Sequence, residues 1–396
     1  MNRSSSRTQL PLPSADALAA SEQLKAVIRA QMTAYGGWLS FARFMELALF
    51  APRLGYYSGG ATKFGKDGDF TTAPEISPLF GQSVAQFAMP LMQQSKRQML
   101  EFGAGSGKLA HDVLSRLHQQ GFVLEKYFIV EVSGQLRAAQ EERLAGFSEV
   151  EWLEQLPEQF DGVIIGNEVL DAMPVQLVQK DESGDNWSEL GVVWQAMSEN
   201  DGEFAWQTRP MSDQVQQQLT TQIPDAENLP PGYISELHSH ASAFMRSVSS
   251  MLAGGSGAAI WFDYGFAAHE YYLDQRRNGT LMCHYRHHAH AEPFFLPGLQ
   301  DITAHVDFSA MAKMALASGL ELLSYSHQAG FLLDAGITQL MQELDPNDVK
   351  HYLPQTNAVG KLLAPHEMGE LFKTLVVGKN VHLPPDWGRF ARQARL

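Results

Sequence analysis

Cysteine is almost absent. Cys283 is the single one in 396 residues, so no disulfide closes within the chain, and the composition suits a reducing compartment. Long apolar runs are missing too: none reaches the ~20 residues that a membrane-spanning helix needs. Basic residues are outnumbered, 29 Lys and Arg against 44 Asp and Glu, for a formal charge of −15. Nucleic-acid binders draw affinity from phosphate contacts made by a basic surface, so that class is excluded as the main function. An acidic chain instead suits a soluble enzyme or a partner for a basic protein segment. Internal repeats and low-complexity tracts are also lacking. The first residues carry Arg3, Arg7 and several serines but no apolar core for secretion, and Asp16 and Glu22 follow closely. The expectation is a tail on a cytoplasmic protein, with a mitochondrial leader as the alternative.

What the chain does have is glycine in one telling place, Glu101-Phe102-Gly103-Ala104-Gly105-Ser106-Gly107-Lys108. It reads as strand, glycine loop and helix start, where backbone approaches a ligand closely and a helix N-terminus faces it. A phosphate-binding P-loop requires Ser or Thr after Gly-Lys, and here Leu109 follows. A dinucleotide fingerprint, counted from Gly103, would put its last glycine at Lys108, so it fails as well. The pattern that remains looks like the first motif of class I methyltransferases, although a plain strand-to-helix turn also satisfies it.

Twenty-four positions after Gly107, the apolar run 126–130 ends in Glu131. An acidic residue at the tip of a second parallel strand accepts the ribose hydroxyls of a nucleoside. Val150-Glu151-Trp152-Leu153 is a third short strand, with Trp152 facing either an adenine or the core. The stretch 160–174 runs an apolar strand into Asn167-Glu168, with Asp171 three residues on. Ligands in open α/β sheets lie beyond the carboxyl ends of the strands. If the turn there is helical, Glu168 and Asp171 share one face and are placed to hold a cationic group.

Around this centre, residues 14–50 read as two helices broken at Gly36-Gly37. Residues 55–81 read as a loop that acts as a lid or as surface packing, and 80–92 as a helix. Alternating runs between 175 and 208 predict a β-meander, and 234–252 a helix. Further strands are expected at 257–265, 321–325 and 374–378, with a helix at 309–318. Four histidines and Cys283 lie within residues 283–290, but the spacing is not that of a zinc site, and no metal is expected.

Several stretches in this order resemble the MidA family of S-adenosylmethionine-dependent methyltransferases. They are Gly55-Tyr56-Tyr57, Gly68-Asp69-Phe70 with Pro74-Glu75 and Phe80-Gly81, the glycine loop, Asn167-Glu168 with Asp171-Ala172 and Pro174, and residues 300–308. The resemblance spans about residues 25–380. It implies an α/β fold, the class I methyltransferase: a Rossmann-like, mostly parallel seven-stranded sheet with helices on both faces. To this it adds an N-terminal helical and lid region (1–95) and an inserted α+β substrate subdomain (176–255) that divides the core (96–175 and 256–380), with a C-terminal tail from 381 to 396. It implies S-adenosyl-L-methionine as cofactor, held by Phe70, Thr71, Glu75, Glu101, Gly103, Gly105, Gly107, Glu131, Trp152, Leu153 and Asn167. Catalytic roles fall to Glu168 and Asp171, with His305 and Asp307 as second candidates. Mitochondrial members of that family methylate arginine on a subunit of a respiratory complex. The resemblance therefore implies a protein substrate, and the mitochondrial matrix if the source is eukaryotic. A small-molecule or lipid O-methyltransferase and a cofactor-binding assembly factor without turnover are the alternatives.

Overall fold

The computed structural model describes residues 10–59, 72–198 and 201–396. Its centre is a sheet in the order Val150–Trp152, Lys126–Val130, Gln98–Phe102, Gly162–Asn167, Gly257–Phe266, Phe372–Lys379 and Glu321–His327. All are parallel except Phe372–Lys379, which is antiparallel to both neighbours. The short strand Val306–Asp307 joins the far end of Gly257–Phe266. The inner strands are apolar on both sides because both faces are covered. Val163, Ile165, Ile260 and Val376 pack under the helices Pro78–Met92 and Lys108–Gln119, while Ile164, Trp261 and Leu375 pack under Ser239–Ala253 and Phe308–Ala317.

A second, antiparallel sheet holds the expected meander. Trp187–Ala196 pairs with Gln176–Lys180 and with Gly202–Arg209. Two strands in it were not expected. Trp38–Ser40 pairs with residues 191–193, between the helices Ala15–Ala34 and Phe41–Phe50. Its Trp38 indole fills the space a Cβ on Gly191 would take. Ile234–Leu237 pairs with Gln176–Gln179, so the helix expected from 234 starts only at Ser239. The reason is burial of polar groups: Ser235 and Glu236 are buried, and Glu236 accepts amide hydrogens from Thr280 at 2.6 Å and Leu281 at 3.1 Å. A buried polar pair hides the alternation that marks a strand.

A small third sheet orders His288–His290, Met282–Tyr285 and Asp301–Thr303. The histidine-rich stretch is therefore a hairpin, with His284 facing Asp301 across the pairing. No group of three or more metal-ligating side chains is found among the described residues. None of their helices is long and apolar enough to cross a membrane.

Candidate active site

At the carboxyl ends of the parallel strands lies a cavity of about 410 Å³, within the range of roughly 300–1,000 Å³ of ligand sites. The glycine loop forms one wall. Gly103, Gly105 and Gly107 have φ of +62°, +54° and +78°, backbone that other residues rarely adopt. A Cβ on Gly107 would also sit 3.3 Å from Gln140. Behind the loop, buried Glu101 accepts a 2.6 Å hydrogen bond from the Tyr127 hydroxyl. Burial pushes its carboxyl up to about 7. Glu75 also lines the cavity and accepts a hydrogen bond from the Ser106 hydroxyl, while Arg143 donates to Ser106 at 2.8 Å.

Glu131 stands on the same rim, one residue past its strand. Its carboxylate is oriented by the Ser133 amide at 2.8 Å and by Gln140 Nε2 at 2.8 Å. Gln140 is fully buried and joins three pieces of the site. Nε2 also donates to the Gly105 carbonyl at 2.9 Å, and Oε1 accepts from Trp152 Nε1 at 2.9 Å. Trp152 and Leu153 do not line the cavity, so the indole acts on it through Gln140. Asn167 does line it, and its Oδ1 is buried with no hydrogen-bond partner among the described residues. Phe70 and Thr71 lie outside the described residues.

The opposite wall is acidic. Glu168, Asp171 and Asp301 all line it. Glu168 is half-buried, receives a 3.1 Å hydrogen bond from Asn167 Nδ2, and is pushed up to about 8 by burial and by the nearby Asp171 charge. Asp171 is 4 % exposed and lies well above the carboxylate range, through burial and through Asp263 and Asp301. Asp301 accepts a 3.0 Å hydrogen bond from Tyr57. Among the described lining residues the cation is Lys108, already paired with Asp112.

The turn after Asn167 is not helical, and Glu168 has a φ of +55°. Glu168 and Asp171 therefore meet without the expected helical face. His305 and Asp307 stand outside the cavity. His305 stacks on Phe266 at 5.3 Å, and its Nδ1 lies 3.2 Å from the Thr280 carbonyl, which can only accept. Asp307 caps the helix Phe308–Ala317 through the Ala310 amide at 3.0 Å and accepts from Tyr272 at 2.7 Å. Sequence reasoning missed Asp301 and Tyr57, although both fall in stretches that carried the family resemblance. It also missed Gln140, for which no local signal exists.

A parallel sheet with one antiparallel strand, a glycine loop after the inner strand Gln98–Phe102 and an acid at the tip of the neighbouring strand define a class I S-adenosylmethionine-dependent methyltransferase. The loop, the acceptor pair at Glu131 and the unpartnered Asn167 oxygen fit that cofactor. The model of a family described as "Putative S-adenosyl-L-methionine-dependent methyltransferase" matches residues 79–326, and the chain belongs to that family. A protein from Burkholderia thailandensis, crystallised with S-adenosyl-homocysteine bound, superposes with a TM-score of 0.90 at 48% identity, covering 98% of this chain and 100% of that one. The zebrafish (Danio rerio) mitochondrial protein arginine methyltransferase NDUFAF7 is 29% identical over 85% of this chain and 82% of its own length. Its Homo sapiens counterpart is 26% identical over 91% and 84%. S-adenosylmethionine is the cofactor of this enzyme.

Proposed function

We propose that the protein transfers a methyl group to an arginine side chain of a protein substrate. The observation that carries this reading is the desolvated acidic wall facing the glycine loop. Three carboxyl groups gathered there, with Lys108 already engaged by Asp112, select a cationic acceptor. A hydroxyl acceptor must develop negative charge as it reacts, which this wall opposes, so O-methylation is disfavoured. The names of the curated relatives support arginine, and a subunit of a respiratory complex is the first substrate to try.

Bound in the cavity, S-adenosylmethionine supplies an electrophilic methyl group with an excellent leaving group. The residues of the chain align the acceptor, exclude water and take up a proton. Glu168 and Asp171 hold the guanidinium by charge-assisted hydrogen bonds. Free of acceptor, Glu168 is raised to about 8 and holds a proton at neutral pH; the arriving guanidinium displaces that proton to solvent, and the ionised Glu168 then takes up the N–H proton released on methylation. In this scheme Glu131 and Asn167 hold the cofactor, Gln140 orients Glu131, and His305 and Asp307 serve the fold around the site. The N-terminal region and the inserted subdomain shape the acceptor side.

The test is Glu168→Gln. It should leave S-adenosyl-homocysteine affinity within about twofold and lower transfer to an arginine-bearing acceptor by roughly 10²-fold or more. Normal transfer by the variant removes Glu168 from catalysis.

A further inference from the structure

We propose that Asp263 is a positioning residue whose buried carboxylate ties down the turn 168–171 and so presents Glu168 and Asp171 to the acceptor. Its consequence for catalysis rests on the arginine reading above; its hold on the turn does not.

Strand Gly162–Asn167 ends paired with Phe262, and the Glu168 amide makes the last ladder bond, 2.8 Å to the Phe262 carbonyl. There the chain reverses with Glu168 at a φ of +55°. That conformation is sparsely populated by residues other than glycine and persists only where the surroundings enforce it. No helix follows, so the next amides have no intrahelical acceptors. All three converge on one oxygen. Asp263 Oδ2 lies 3.2 Å from the Val169 nitrogen, 2.8 Å from Leu170 and 3.3 Å from Asp171. Asp263 Oδ1 takes the Tyr264 amide at 3.0 Å.

Asp263 is 1% exposed and does not line the cavity. Burying a carboxyl beside two others is costly unless donors compensate it; these four amides offset part of that cost, and burial with the Glu168 charge still lifts the Asp263 carboxyl to about 8. An asparagine has the same shape but would turn its NH₂ either onto the three amides or onto that of Tyr264. Aspartate is therefore specified by the donor pattern. It acts through the turn: if its grip loosens, Glu168 relaxes towards ordinary backbone and its carboxyl leaves the acceptor wall.

Hydrogen exchange on the full chain with S-adenosyl-homocysteine bound tests this. In Asp263→Asn, amides of the segment 168–173 should exchange roughly tenfold faster, while the glycine loop 102–107 is unchanged. If Asp263→Asn does not fold, Asp263→Glu carries the test, because it keeps the carboxyl group and displaces the oxygen. Catalysis should split: kcat about 10²-fold lower at saturating acceptor, with S-adenosyl-homocysteine affinity unmoved. Exchange in 168–173 like that of the wild type overturns the proposal, and so does exchange rising evenly across the core. A wild-type enzyme that methylates no arginine sinks the acceptor reading alone, since the exchange result still decides what Asp263 does.

Discussion

Glu168 carries a cost to the fold that the proposed methyl transfer would put to use. Burial and Asp171 lift its carboxyl from 4.5 to about 8. Between those values the native state holds a proton that the unfolded chain has released. Its contribution to stability is complete below about pH 4.5 and is lost as the pH rises through 8. Glu168→Gln removes that loss, so it should raise the melting temperature at pH 8 more than at pH 5, by about 1–2 °C for each kcal/mol recovered. Differential scanning calorimetry at the two pH values checks this, and equal shifts would contradict the burial argument. Glu168 and Asp171 were legible because a polar pair ending an apolar strand falls in the crevice of an α/β sheet. The choice among 300–308 was less legible. Asp301 and Thr303 belong to the small sheet and face the cavity, whereas Val306–Asp307 joins the main sheet. The chain changes sheets between them, and no pattern in nine residues announces that change.

The elements were read well where burial alone decides them. Strands buried on both faces are continuous apolar runs, and Ser133, a residue type favoured at helix starts, caps the helix Gly134–Arg143 through the Leu136 amide at 3.4 Å. Trp38–Ser40 and Ile234–Leu237 were missed because each exists through pairing with a distant strand. The helix Gly134–Arg143 has a further role that its sequence hides. Its Gln140 ties together the glycine loop, Glu131 and Trp152. Gln140→Leu removes the two donors and leaves the Trp152 N–H without its acceptor. Each lost buried bond costs on the order of 1 kcal/mol. S-adenosyl-homocysteine affinity, measured by titration calorimetry, should fall about tenfold with acceptor KM little changed. Unaltered affinity would show that Glu131 keeps its orientation without Gln140.

At the scale of the whole molecule, the fold sets two unlike surfaces against each other. The parallel sheet supplies the glycine loop and Glu131. The N-terminal region and the small sheet supply Tyr57, His284 and Asp301 opposite them. This division explains why the glycine loop and Glu131 were readable from motifs while Tyr57 and Asp301 were not. The first is one contiguous strand-loop-helix unit, while the second is assembled from segments more than two hundred residues apart, such as Tyr57 and Asp301. An overall charge of −15 suits a basic protein segment approaching the acidic wall. The central claim is that this enzyme methylates arginine on a protein. The direct measurement is quantitative mass spectrometry of arginine methylation in cells that lack the protein, restored with the wild type or with Glu168→Gln. The account predicts at least one protein arginine whose methylation disappears, returns with the wild type and stays absent with the variant. An unchanged arginine-methylation profile, or full restoration by Glu168→Gln, would contradict it.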